Sequence, residues 1–253
     1  MDFKNISIAT PCYNRTKWLP LMLFNLKHQD YPKDKLEWVI DDDGTDKLFK
    51  NVDEIKKAEQ VIGFPIKYYH TTNKRSIGVK RNNLTKIATH KIIANMDTDD
   101  IFMPMWLSHS IEIMNSDKWC SLVGTKGMIF CFPDNDFKMT GIECKEKRMI
   151  HESGMLYTKK HSRSARGFQK SSQGEGTSMI DYNENRCLCS NVKQVIICIC
   201  HGDNTVNKDR FRGADIGDVY LGGILKKIVS DILNIPFNKV NNNNITFKNT
   251  LNT

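Results

Sequence analysis

Lys91-Ile92-Ile93-Ala94-Asn95-Met96-Asp97-Thr98-Asp99-Asp100 is the stretch on which the fold turns. It reads as a short apolar strand that stops in three carboxylates, Asp97, Asp99 and Asp100. A continuous apolar run marks a strand buried on both faces of a sheet, and open α/β sheets gather their ligands outside the carboxyl ends of such strands. Three acids crowded at one strand end repel one another unless a cation shares their charge. Hard oxygen donors suit Mg2+ or Mn2+, which keep waters and take one or two protein carboxylates plus substrate phosphates. The same residues also read as an acidic turn capping the next helix, expected near Met103-Pro104.

Upstream, the pattern repeats. Asn5 to Thr10 reads as a first strand closed by Pro11, because proline cannot continue a ladder. A polar loop, Tyr13-Asn14-Arg15, leads into a helix from about Thr16 to His28, with Leu19, Leu23 and Leu26 at helical spacing. Leu36 to Ile40 is a second strand ending in acids, Asp41-Asp42-Asp43-Gly44-Thr45-Asp46. A helix around Val52 to Val61, a strand Ile66 to His70 and a helix to about Thr89, capped by Ser76, complete the first half. Strands alternating with helices predict right-handed βαβ units and a parallel sheet. Two acid clusters then share one edge of that sheet and can face one ligand.

Downstream the alternation weakens. The sequence predicts a helix over Met103 to Asn115, a pair of strands at Ser121–Gly124 and Met128–Phe132, and a short strand at Gly154–Thr158. Lys159 to Lys170 is basic without an acid, and Gln173 to Ser178 reads as a loop entering a short helix. Val195 to Cys200 is a late strand ending at His201-Gly202. Val219 to Leu233 carries an amphipathic stripe read as core packing, and the Asn-rich tail 238–253 is expected to be loose.

Composition sets outer bounds. A chain of 253 residues suits one large α/β domain or two small ones. The net charge of +8 asks for an anionic partner, yet the basic residues are scattered without aromatic interleaving, so no nucleic acid is expected. The start, Met1-Asp2-Phe3-Lys4-Asn5, lacks a leader layout and no apolar run reaches membrane-span length. A soluble cytoplasmic protein without a membrane span is therefore expected, in a host's cytoplasm if the source is viral. Heavy Lys, Asn and Ile usage fits an AT-rich genome. Eight cysteines fit reduced thiols, and Cys187/Cys189 and Cys198/Cys200 lack the Cys-x2-Cys spacing of zinc sites. No dinucleotide or phosphate-loop glycine motif and no Gly-x-Ser-x-Gly is present. His151-Glu152 has Met155 where a zinc-protease helix needs its second His.

Four segments now stand in order: Ile8-Ala9-Thr10-Pro11-Cys12-Tyr13-Asn14-Arg15, Val39-Ile40-Asp41-Asp42-Asp43-Gly44-Thr45-Asp46, Gly78-Val79-Lys80-Arg81-Asn82 and Asn95-Met96-Asp97-Thr98-Asp99-Asp100. This series resembles the family 2 glycosyltransferases, which carry a similar opening strand, a DDGSTD segment, an ARN helix and a DxDD turn. The resemblance covers residues 5–106 and is faint beyond. It implies an α/β fold: a single GT-A domain over 1–237, with a Rossmann-like, mostly parallel central sheet and helices on both faces. Residues 1–106 would form the nucleotide-sugar half and 107–237 the acceptor half.

The resemblance also implies roles. Thr10, Pro11, Tyr13 and Asn14 would shape the nucleotide pocket, and Asp43, with Asp42 as alternative, would accept a hydrogen bond from the base. Arg81 would approach the base or diphosphate, and Asp97 and Thr98 the ribose. Asp99, with Asp97 and His201, would hold Mn2+ or Mg2+ on the diphosphate. Glu175, in Gly174-Glu175-Gly176, would be the base that activates the acceptor hydroxyl, with Asp181 the second candidate; Gly176 stands where the family usually has Asp. Gly154 would line the sugar side. A nucleotide-diphosphate sugar, UDP-linked first, would be the donor, and a glycan, protein or lipid the acceptor. Asp41, normally apolar, and one residue missing at Gly44-Thr45 depart from the pattern. The rival readings are a degenerate or non-catalytic nucleotide-sugar-binding protein and a sugar-1-phosphate nucleotidyltransferase.

Overall fold

The computed structural model describes residues 2–181, 183–213 and 221–235, so the expected tail 238–253 and the start of the 219–233 stripe lie outside the described residues. The first half alternates β1 (Ile6–Cys12), α1 (Leu19–Lys27), β2 (Leu36–Asp42), α2 (Val52–Ile62), β3 (Ile66–His70), α3 (Ile77–Ile87) and β4 (Ile92–Asn95). There follow β5 (Asp100–Phe102), α4 (Trp106–Ser116), β6 (Leu122–Gly124), β7 (Gly127–Phe132), β8 (Lys138–Glu143) and β9 (Leu156–Thr158). The chain closes with α5 (Lys159–Ser164), α6 (Thr177–Asp181), β10 (Cys187–Cys189), β11 (Ile196–Ile199) and α7 (Gly223–Leu233).

Seven strands make the central sheet in the order β10-β6-β9-β4-β1-β2-β3. Only β9 runs antiparallel to its neighbours β4 and β6. Strand periodicity assigns the faces. Ile6, Ile8, Trp38 and Ile40 join one core with Leu21, Met22 and Leu26 of α1, Trp106 and Ile111 of α4, and Val229 of α7. Their alternates Ala9, Val39 and Ile93 join a second core with Leu84 of α3 and Met179 and Ile180 of α6. Helices therefore cover both faces, which is why β1 and β2 are mainly apolar, with Ser7, Thr10 and Glu37 as buried exceptions. No described helix is long and apolar enough to cross a membrane.

Two local expectations are corrected, and the strands expected at 121–124 and 128–132 both form, in different sheets. β1 continues through Pro11 to Cys12. Ala9 C=O accepts from Met96 N–H on the β4 side and Cys12 C=O from Asp43 N–H on the β2 side. By alternation Pro11 faces the β4 side, where pairing with β1 ends at Ala9–Asn95, so no ladder bond needs its missing N–H. Ser76 stands at the start of α3, but its side chain makes no cap bond and its hydroxyl is buried without a partner. β6 and β7 do not pair with each other: β7 joins a second sheet, β5-β11-β7-β8, in which β5 runs antiparallel to β11.

The edge of the sheet remote from the acid clusters carries its own buried charge. Glu37 accepts from Ser7 Oγ, from Thr89 N–H and Oγ1, and from Lys67. Burial pushes its carboxyl up, but these four donors outweigh it and hold the group down at about 2. A folded value below the ordinary 4.5 means the carboxylate stabilises the fold above that pH, and the contribution is lost as pH falls toward 2. Glu37→Gln, which sets an amide N–H2 against donors, is expected to lower stability by about 2–3 kcal/mol at pH 7 and much less near pH 2, read by urea unfolding.

Candidate active site

The strand order reverses direction between β1 and β4, so their carboxyl ends flank the crevice where an α/β sheet holds its ligand. A cleft of about 640 Å³ opens there. Pro11 of β1 and Tyr13 and Asn14 after it line the cleft with Asp97, Thr98 and Asp99 after β4. Arg15, Lys17, Lys74, Arg75 and Lys80 line it too, so basic side chains face its acids. A deeper recess of about 140 Å³ shares Asp97 and Asp99 and reaches Arg81, His151, Glu152 and Glu175.

α3 organises the polar groups. Lys80, 3% exposed, sends Nζ to Asp43 Oδ1 at 2.7 Å and to Cys12 C=O at 2.8 Å. The other Asp43 oxygen accepts from Arg75 N–H at 2.6 Å. Arg81, equally buried, donates through Nη2 to Asp97 at 2.8 Å and through Nε to Glu175 at 3.0 Å. Its Nη1 is buried without a partner. Asn83 Nδ2 reaches Asp41 Oδ2 at 2.9 Å, and Arg75 pairs with the other Asp41 oxygen. The acid at position 41, unexpected from the resemblance, is thus a neutralised core group.

Asp99 of the cleft meets His201 beside it, Oδ2 to Nε2 at 3.1 Å, with Arg15 Nη2 3.7 Å from the same oxygen. The imidazole packs on Trp18, ring centres 4.6 Å apart. Burial pushes the Asp99 carboxyl up, but the His201 hydrogen bond and the Arg15 charge outweigh it and hold it below the usual range. Asp100 behaves oppositely: burial first, then the charges of Asp99 and Asp97, push it up, and Ser153 Oγ donates to it at 3.0 Å. Among the described residues no cluster of three or more His, Cys, Asp or Glu forms a metal site by itself. Asp99 and His201 still offer one carboxylate and one imidazole to a common point, and Mg2+ or Mn2+ bound with a diphosphate needs few protein donors. The donor set fits.

Several sequence-predicted residues sit elsewhere. Thr10 is fully buried and its Oγ1 accepts from Trp38 Nε1. Asp42 is spent on its own loop, accepting from Gly44 N–H, Leu48 N–H and Tyr68 Oη. Asp43 stands behind the cleft wall, separated from the ligand space by Lys80 and Arg75. Asp181 lies exposed at the end of α6, outside the cleft and the recess. Gly154, at φ +82°, packs against Val195 and gives its C=O to Trp106, so it serves the core. Glu175 reaches the recess, where burial pushes its carboxyl up against the pull of Arg81. Sequence reasoning missed Lys74, Arg75 and Glu152. Only Lys80 was signalled, by its place beside Arg81.

This architecture is the GT-A glycosyltransferase fold. S. aureus TarS residues 1–349, solved with UDP, superposes at a TM-score of 0.60 with 18% identity, covering 77% of this chain and 60% of that one. The same protein with UDP-GlcNAc gives a TM-score of 0.63 at 17% identity, covering 79% of this chain and 60% of that one. The mannosyltransferase PcManGT from Pyrobaculum calidifontis, solved with GDP-Man and Mn2+, gives 0.58 at 17% identity, covering 83% and 59%. The chain thus spans about 60% of the length of these proteins. A search of curated proteins found no match. The profile of Glycosyl transferase family 2 matches residues 7–168, and the chain belongs to that family.

The Lys80–Asp43 pair is dry on both sides, so removing one partner strands the other charge. Lys80→Met is expected to cost about 3–5 kcal/mol in chemical denaturation, and Lys80→Met/Asp43→Asn to recover part of that loss. Equal cost from single and double variants would deny the coupling.

Proposed function

We propose that the chain transfers a sugar from a nucleotide-diphosphate donor, UDP-linked first, to an acceptor hydroxyl with inversion and with a divalent cation bound. One observation carries the reading: a cleft at the sheet's switch point is lined by an aromatic ring, several cations and Asp99, whose carboxylate is held from behind by His201. Tyr13 and Pro11 supply an apolar wall for a nucleobase. Lys74 lies over the Tyr13 ring, 4.1 Å from its centre, placing a positive charge where a nucleotide enters. Arg15 and Lys17 offset the charge of a diphosphate, and that charge grows as the sugar departs. Asp99 and His201 would hold Mn2+ or Mg2+, which when bound supplies further charge neutralisation at the leaving diphosphate. Asp97, fixed by Arg81, is placed for the ribose or the sugar. A carboxylate of the deeper recess takes the acceptor proton while the diphosphate leaves from the opposite face.

The neighbouring structures hold UDP, UDP-GlcNAc and GDP-Man, which supports a nucleotide-sugar donor and sets the probes. One observation favours a binding-only protein instead: Gly176 stands where the family usually has Asp. Donor turnover separates the two readings. With Mn2+ present, UDP-GlcNAc, UDP-glucose or GDP-mannose is expected to raise the melting temperature and to be hydrolysed to the nucleoside diphosphate. Asp99→Ala should weaken binding of the same donor by at least about tenfold in calorimetry and remove its Mn2+ dependence. Unchanged metal dependence in that variant would refute the assignment of Asp99.

A further inference from the structure

Two glutamates reach the recess, and their surroundings differ. Glu175 is 4% exposed and its Oε1 accepts from Arg81 Nε at 3.0 Å. Protonating Glu175 would weaken its charge-assisted hydrogen bond with Arg81, the guanidinium that also holds Asp97. Glu152 is half-buried, and its Oε1 accepts from Gly176 N–H at 3.0 Å. Among the described residues no Lys or Arg lies within ion-pair reach of Glu152, and no hydrogen bond is made to Oε2. Its main chain is anchored to the end of β4, where Glu152 C=O accepts from Asn95 Nδ2 at 3.1 Å. One oxygen is therefore fixed by Gly176, and the residue lines the recess from a pinned loop.

The geometry at Gly176 is the decisive observation. A Cβ built there would lie 2.5 Å from Glu152 Cγ, 3.0 Å from Oε1 and 3.1 Å from Cδ. The side chain of Glu152 fills the space that any side chain at 176 would take. Position 176 is glycine because Glu152 approaches its backbone, and the carboxylate missing from 176 is present in the same volume, carried by another loop.

We propose that Glu152 is the carboxylate that accepts the proton of the attacking hydroxyl, and that Glu175 is a positioning residue acting through Arg81. This assignment rests on the transfer reading above. As the hydroxyl oxygen bonds to the anomeric carbon, the bond from that carbon to the diphosphate breaks. The electron pair leaves on the diphosphate, and the hydroxyl proton passes to Glu152.

The test uses water as acceptor, with UDP-GlcNAc, UDP-glucose and GDP-mannose as donors and Mn2+ present. Nucleoside-diphosphate release gives kcat and KM, and calorimetry gives donor Kd. Glu152→Gln is expected to lower kcat at least about 100-fold with Kd within about twofold. Glu175→Gln should keep kcat within about tenfold and raise KM. Moving the carboxylate, in Glu152→Gly/Gly176→Asp, should restore at least about tenfold over Glu152→Gly. Should Glu152→Gln not fold, Glu152→Asp, which keeps the charge but withdraws it by one methylene, should lower kcat about tenfold at unchanged Kd. Hydrolysis by Glu152→Gln within about threefold of the parent, or an unchanged kcat in Glu152→Asp, would overturn the assignment alone. If the parent protein neither binds nor hydrolyses any of the three donors, the transfer reading fails and takes this assignment with it.

Discussion

Four consecutive residues of α3 each tie down a different part of the cleft. Lys80 neutralises Asp43 at the end of β2, and Arg81 bridges Asp97 after β4 to Glu175 before α6. Asn82 exchanges two hydrogen bonds with the Phe168 backbone, and Asn83 meets Asp41. Carboxylates gathered at neighbouring strand ends repel, and in a low-dielectric site that repulsion would open the loops that carry them. Two adjacent buried cations on one helix remove it. The cost is desolvation of Lys80 and Arg81, and it is offset only while each keeps its partners. The sheet places the acids, and α3 makes their placement tolerable.

That division of labour explains what could be read from the chain. β1, β2 and β4 were legible because burial on both faces leaves mainly apolar runs, and the edge strand β3 because it falls between two helices of the alternation. The second sheet was not. Asp100–Phe102 is three residues long and overlaps the acidic turn, so nothing periodic marks it as a strand; its partner, Ile196–Cys198, lies some ninety residues on. β6 and β7 were both legible as strands, but their adjacency in sequence says nothing of the separate sheets they join. Leu122 faces one core while Phe130 packs in a separate cluster of the second sheet.

The candidate site was legible at the level of motifs and less so at the level of atoms. Asp99 and His201 meet, although His201 follows β11, about a hundred residues away. Asp42 and Asp43 could not be sorted by sequence, since side-chain alternation along β2 and the hydrogen bonds of the following loop decide where each one points. Glu152 was invisible for a different reason. Its sequence neighbourhood suggests nothing, and its meaning appears only when Gly176, twenty-four positions later, is found to leave room for it. A side chain supplied by one loop to fill a gap in another has no local signature.

The account stands on one arrangement: Asp99 and His201 on one wall, the Tyr13 and Pro11 segment on the other, with a diphosphate between them. Anomalous diffraction from crystals grown with Mn2+ and UDP tests it most directly. The account predicts a manganese peak within coordinating distance of the Asp99 carboxylate and of the diphosphate, with the uracil against Tyr13. A nucleotide bound elsewhere, or manganese remote from Asp99, would contradict it.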